Sequence, residues 1–180
     1  MMKIFTTQLT GHFNRIVDQE TLDIEDSSRL LAQALVGEGN LYLYGHKELH
    51  GIVLEAISSN EPLLRAKPLL EHDGQITEVS SADRVLLFTH FSTDEEAIQI
   101  AKSLAEKGIQ TVGVSAIAKD APKGLESITD FHIDSKLRQP LIPGDDGNRY
   151  GFPALMTSLY VYYAIHFTIQ EILSEYDEEL

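Results

Sequence analysis

Asp83–Ile117, DRVLLFTHFSTDEEAIQIAKSLAEKGIQTVGVSAI, is the stretch that decides the fold. Val85-Leu86-Leu87-Phe88 is a continuous apolar run, the pattern of a strand covered on both faces. A polar loop, Thr89 to Thr93, follows it. Thr93 and Glu96 then have the spacing of a capping box, which predicts a helix start. Ala97, Ile98, Ala101, Leu104 and Ala105 share one helical stripe, with Gln99, Lys102, Ser103 and Glu106 facing away. Gly108 fits the left-handed position that ends a helix, and Thr111 to Ile117 resumes a β-rich run. Two parallel strands joined by a helix form a right-handed βαβ unit. Its loop lies where open α/β sheets bind ligands, at a strand's carboxyl end and a helix's amino end.

Working outward, Leu41-Tyr42-Leu43-Tyr44 predicts a first strand and Gly45 opens a loop, followed by a helix over His46–Ser58. Upstream, two amphipathic helices are expected. One carries Ile4, Phe5, Leu9, Phe13, Ile16 and Val17; the other is introduced by Asp23, Glu25 and Asp26 and stopped by Gly37 and Gly39. Between Pro62 and Pro68, Leu63-Leu64-Arg65-Ala66 reads as a short strand, and His72-Asp73-Gly74 as a turn. Downstream, Phe131-His132-Ile133-Asp134 reads as the last strand. The order predicts a single domain over 1–180, a three-layer α/β/α doubly wound fold with a parallel sheet of about five strands. Its parts are N-terminal helices (1–38), an α/β core (40–135), a loop (136–151) and a long C-terminal helix (152–177).

The bulk properties narrow the function. A net charge of −14, with 28 acidic against 14 basic residues, argues against nucleic acid, which needs clustered Lys and Arg. The run Glu171, Glu175, Asp177, Glu178, Glu179 reads as a solvated acidic tail. Without cysteine there are no disulfides or thiolate metal sites, which fits a cytoplasmic protein. Phe152–Ile169 holds no Asp, Glu, Lys or Arg, but Pro153, Ser158, His166 and three tyrosines make it costly in hydrocarbon. A buried or interface helix is expected rather than a membrane span, with a homo-oligomer (dimer or tetramer) formed through it.

The element order resembles the SIS (sugar isomerase) domain, a flavodoxin-like fold, and within it the phosphoheptose isomerase branch and a bacterial family of short SIS-like proteins. SIS domains carry G-x-G-x-S after the first strand; here that place reads Gly45-His46-Lys47-Glu48-Leu49. After the third strand they carry S-x-S-G-x-[ST]-x-[DE], whose hydroxyls and backbone N–H groups hold a sugar phosphate. Here it reads Thr89-His90-Phe91-Ser92-Thr93-Asp94-Glu95-Glu96. The resemblance implies a small-molecule sugar phosphate or related anion as ligand, held by Gly45, His46, Thr89, His90, Ser92, Thr93 and Asp94. Asp94 stands where the family has a helix-capping hydroxyl. A carboxylate ~6 Å from a phosphate dianion opposes it by on the order of 1–5 kcal/mol. A cation must then compensate; Lys47, Lys119, Lys123, Lys136, Arg138 and Arg149 are the candidates, with Arg149 first because guanidinium binds oxyanions bidentately. The last helix of phosphoheptose isomerases carries a histidine that His166 matches, with Glu61 or Glu55 as partner. The resemblance thus implies an aldose–ketose isomerase with His166 and Glu61 catalytic. The alternatives are a SIS-like domain that binds without turnover, and a non-enzymatic oligomeric scaffold or regulator.

Two other constellations stand out. His46 and His50 lie four apart and, with His90, suggest a metal site, but the spacing is not H-E-x-x-H, and surface histidines explain it more simply. No metal or cofactor is expected. His90, Ser92 and Asp94 have the residue types of a nucleophile trio, yet neighbours on one loop rarely reach its geometry.

Overall fold

The computed structural model describes residues 1–178; Glu179 of the acidic run lies outside them. Five strands, β1 (Leu41–Gly45), β2 (Ala66–Pro68), β3 (Arg84–Phe91), β4 (Thr111–Ala116) and β5 (Phe131–Asp134), form one parallel sheet in the order β2-β1-β3-β4-β5. The chain runs outward from β1 to β2, returns to β3 on the other side of β1, and continues to β4 and β5. The point where it reverses is the gap between β1 and β3.

Side chains alternate along these strands and so divide the core in two. Leu41, Leu43, Leu86, Phe88, Val112, Val114 and Ile133 face α1 (Met2–Val36), α2 (His50–Ser58) and α4 (Ala154–Glu178). Tyr42, Tyr44, Val85 and Leu87 face α3 (Glu95–Glu106), whose Ala97, Ile100, Ala101 and Leu104 are buried on them. The layers are therefore α/β/α, as the βαβ reading requires. Gly108, with φ of +70°, takes the left-handed conformation that closes α3.

Four expectations need correction. The N-terminal pair is a single helix, α1, about 52 Å long at 1.5 Å per residue. Gly11 faces open space and interrupts nothing. Asp23, Glu25 and Asp26 sit within the helix, where Glu25 pairs with Arg29 one turn on. The short strand lies at Ala66–Pro68 rather than Leu63–Ala66, because Arg65 takes a positive φ (+51°). That turn aims its guanidinium at the carbonyls of Ala34, Leu35 and Gly37, where a cation offsets the negative end of α1. The polar loop after Phe88 is partly strand: β3 runs to Phe91 with a register shift between Phe88 and Phe91. Finally, the 136–151 segment contains a small antiparallel ribbon, β6 (Ile142–Pro143) with β7 (Arg149–Tyr150).

The uncharged stretch is α4, packed beside α1 with the Phe13 and Tyr160 rings stacked 4.3 Å apart. No described helix is long and apolar enough to cross a membrane.

Candidate functional site

The gap between β1 and β3 is the switch point, where carboxyl-end crevices of open α/β sheets form. At β1's end, Gly45 has no room for a side chain: a Cβ there would lie 2.2 Å from the Leu49 carbonyl oxygen. This explains in steric terms why a glycine opens the loop. His46 N–H then donates to the Phe88 carbonyl (2.9 Å), tying the loop to β3. The bulge after Phe88 presents His90 toward His46, with ring centroids 5.9 Å apart and nearly perpendicular.

Asp94 completes the arrangement. It is the N-cap residue of α3, but its carboxylate makes no hydrogen bond to that helix. It turns back instead, and one oxygen accepts the Thr89 hydroxyl and the Phe91 N–H (3.1 Å). Thr93 is exposed and does not form the expected capping box. The donors that the family resemblance assigns to a phosphate are thus taken up by the protein's own carboxylate. Ser92 is buried, its N–H donating to Ala116 and its carbonyl accepting from Leu125, so it braces the loop from beneath.

Carboxylates surround the two histidines. Glu48 lies 2.7 Å from His90 Nε2, while His46 Nδ1 faces Glu96 and the Tyr44 hydroxyl, each at 3.2 Å. Burial pushes the Glu48 carboxyl up, but the hydrogen bond to His90, a backbone N–H and the charges of His90 and Lys47 together outweigh it and leave the group below its ordinary value. Burial raises Tyr44, and the Glu96 carboxylate raises it further.

His166 lies elsewhere. Thr157 and Ser158 of α4 flank Thr89 and His90, and His166 is nine residues farther along, about 13 Å on the helix axis. It is buried, with Nδ1 3.4 Å from the Tyr162 hydroxyl. Burial lowers its pKa against the opposing pull of Glu61. Glu55 accepts the Tyr163 hydroxyl at 2.5 Å. Glu55, Glu61 and Tyr163 line a shallow opening with Ser58, Ser59 and Asn60.

Arg149 does not approach Asp94. It donates from Nε to Pro140 O and from Nη2 to Leu141 O, both 2.7 Å, and lines a different cavity of about 600 Å³. Arg15, Lys119, Lys136 and Arg138 line it too, so five of the chain's fourteen basic residues meet there, with no acidic residue on the wall. Arg15 and Lys119 form no ion pair among the described residues. His12 is buried in the same wall, and its Nε2 has no hydrogen-bond partner. Burial and the neighbouring Arg15 lower the His12 pKa to about 4, so the ring is neutral at pH 7.

The sequence named Lys119, Lys136, Arg138 and Arg149 as cations but missed Arg15 and His12. Both sit on α1, where periodicity signals only packing. Glu48 and Glu96 were missed as well: nothing local reveals that they face histidines 42 and 50 positions away in the chain.

Residues 1–173 match the model of DUF2529, described as a domain of unknown function. The chain belongs to the DUF2529 family. A relative in Bacillus subtilis (strain 168), "Uncharacterized protein YwjG", is 52% identical over 176 residues, 98% of this chain and 99% of the relative. The DUF2529 fold is that of sugar isomerase domains. The sugar isomerase domain of an RpiR transcription factor from Sphaerobacter thermophilus superposes with a TM-score of 0.59 at 14% identity, over 98% of this chain and 97% of that one. The Vibrio vulnificus NanR protein, solved in complex with ManNAc-6P, gives 0.61 at 12% identity, over 98% of this chain and 63% of that one. At such identities the likeness is one of fold; the DUF2529 loops carry their own side chains.

Proposed function

We propose that this protein binds a phosphorylated or acidic sugar derivative, with the ligand's anionic group seated in the cavity of Arg15, Lys119, Lys136, Arg138 and Arg149. The observation that carries the reading is that cavity: a strongly acidic chain gathers five cations around one hollow and leaves the buried His12 Nε2 unpartnered on its wall. Such a wall suits an oxyanion, which accepts several charge-assisted hydrogen bonds at once. The sugar isomerase fold supports the sugar part of the reading, since a protein containing that fold is solved with ManNAc-6P. Asp94 supports the displacement of the anion from the strand-end loop, because it already fills the donors there.

In a thermal-shift panel of sugar phosphates and sugar acids, at least one ligand raises the melting temperature at millimolar concentration. Arg15→Ala and Lys119→Ala each weaken its binding by roughly tenfold or more, the value of one charge-assisted hydrogen bond. A panel without response, or arginine and lysine variants that bind normally, sinks the reading.

The burial of His166 and the electrostatic pull of Glu61 on it favour a second reading, an aldose–ketose isomerase of the phosphoheptose type. A buried imidazole with a nearby carboxylate can shuttle a proton between adjacent carbons. Under this reading His166→Ala abolishes isomerisation of a ketose phosphate while its binding, followed by calorimetry, persists. Turnover that survives His166→Ala excludes it.

A further inference from the structure

We infer that His46, His90 and Asp94 form a binding site for a divalent transition-metal ion at the β1/β3 switch point. One ligand-type atom from each of the three residues lies within 4.8 Å of the other two. An ion centred in a triangle of that size is about 2.8 Å from each corner, so bonds of about 2.0–2.2 Å require each side chain to close by less than ~1 Å. Two imidazoles and one carboxylate are the donor set that suits zinc and its neighbours, rather than magnesium or calcium.

The surrounding hydrogen bonds are those of a metal site. A ligating histidine ordinarily directs its second nitrogen at a carboxylate, which fixes the ring and raises its basicity. Both rings here do so: His90 Nε2 meets Glu48, and His46 Nδ1 meets Glu96. The nitrogens left for an ion are His46 Nε2 and His90 Nδ1. Asp94 is divided in the same way, with Oδ2 taken by Thr89 and Phe91 and Oδ1 left over. Three residues thus keep one donor atom each, after their other atoms have been used to orient them.

The sequence suggested a different trio. His50 begins α2 and lines a separate, mostly apolar hollow with His72, so the four-residue spacing of His46 and His50 carries no site. Asp94 takes the third place. The acid that opposes a phosphate in this loop is the residue that a cation requires. Three protein ligands leave a further coordination position for water or for an oxygen of a small ligand, the arrangement of reactive rather than purely structural zinc sites. The inference does not depend on the sugar reading, because it uses none of the residues of the basic cavity.

Chelator-treated protein titrated with zinc chloride in a calorimeter is expected to bind one ion per chain, and Co2+ at the same site to develop visible d–d absorption. His46→Ala and His90→Ala abolish both signals, with the fold followed by circular dichroism. Glu48→Gln, at an exposed position, weakens zinc roughly 10–100-fold by freeing the His90 ring. His50→Ala and His72→Ala leave affinity unchanged. In the unaltered protein, zinc shifts the imidazole NMR signals of His46 and His90 but not those of His50 and His72, a readout independent of variant folding. No saturable binding at millimolar zinc overturns the inference. So does binding that survives both His46→Ala and His90→Ala, or a shift confined to His50 and His72.

Discussion

Replacing Glu20 with alanine lowers the unfolding free energy by about 3–5 kcal/mol, the cost of leaving a buried ion pair half-made. Glu20 is on α1 and only 5% exposed. One of its oxygens pairs with Lys136, and the other accepts the Asp134 N–H at 2.9 Å. Asp134 in turn holds Lys136 (3.3 Å) and Arg138 (2.9 Å). The group joins the N-terminal helix to the end of β5 and positions two of the cavity's cations. Without Glu20, the Asp134 N–H loses its acceptor and Lys136 keeps one carboxylate of two. Domains of this size melt roughly 2–4 °C lower per kcal/mol, so the expected fall is roughly 6–20 °C. Glu20→Gln retains an acceptor for the N–H and loses less. Glu20→Ala combined with Lys136→Met recovers part of the deficit, because the buried ammonium left with half its partners is then gone. Chemical denaturation measures all three. A loss under about 1 kcal/mol in Glu20→Ala shows that the pair is solvated and the argument wrong.

The second large effect is acid destabilisation. His12 and His132 both have pKa values lowered to about 4. Burial is the main cause for each. Asp134 and Glu126 draw His132 upward and Lys136 pushes it down, while its Nε2 lies 2.7 Å from the Ser115 hydroxyl. In the unfolded chain both rings titrate near 6.5. As pH falls through 6.5 the unfolded state takes up protons that the folded state refuses until about pH 4. Stability is therefore full above 6.5 and is lost progressively on the way down. At pH 5 the loss is about 2 kcal/mol per histidine, or about 4 kcal/mol together. His166, also lowered by burial, adds in the same direction. The carboxyls of Glu48, Asp83 and Glu126 are held below their ordinary values, so the stability they add is lost chiefly as pH falls below their unfolded values of about 4. Urea unfolding at pH 7 and pH 5 gives the difference directly. His12→Gln with His132→Gln flattens most of it. A wild-type protein equally stable at both values contradicts the account.

These effects show where the sequence was informative. The inner strands were legible because Val85–Phe88 and Leu41–Tyr44 are apolar runs bounded by turn formers, and a parallel strand buried on both faces leaves that mark. The switch-point loops were legible by position, since they follow β1 and β3. Their contents were not. Periodicity reports which face of an element is buried, but not which polar groups meet across elements, and His46, His90 and Asp94 come from three. The α1 misreading has the same root. Asp23, Glu25 and Asp26 are compatible with a helix start and with a helix surface, and only the absence of a breaker between Gly11 and Gly37 distinguishes them. Arg149 was expected to offset Asp94 because a guanidinium holds oxyanions bidentately, whereas the β6–β7 ribbon carries it to a different cavity.

The bond between the Asp134 N–H and Glu20 spans 114 residues. It has a consequence for synthesis. The first helix leaves the ribosome with Ile16, Leu30 and Leu31 uncovered and Glu20 unpartnered; β1 and β3 supply part of its cover, and the rest arrives with the last strand and α4. Contacts of such long separation delay folding and leave apolar surface open in the meantime. Most of the chain must therefore be translated before its first 36 residues can be fully covered, and the nascent protein depends on that wait being short.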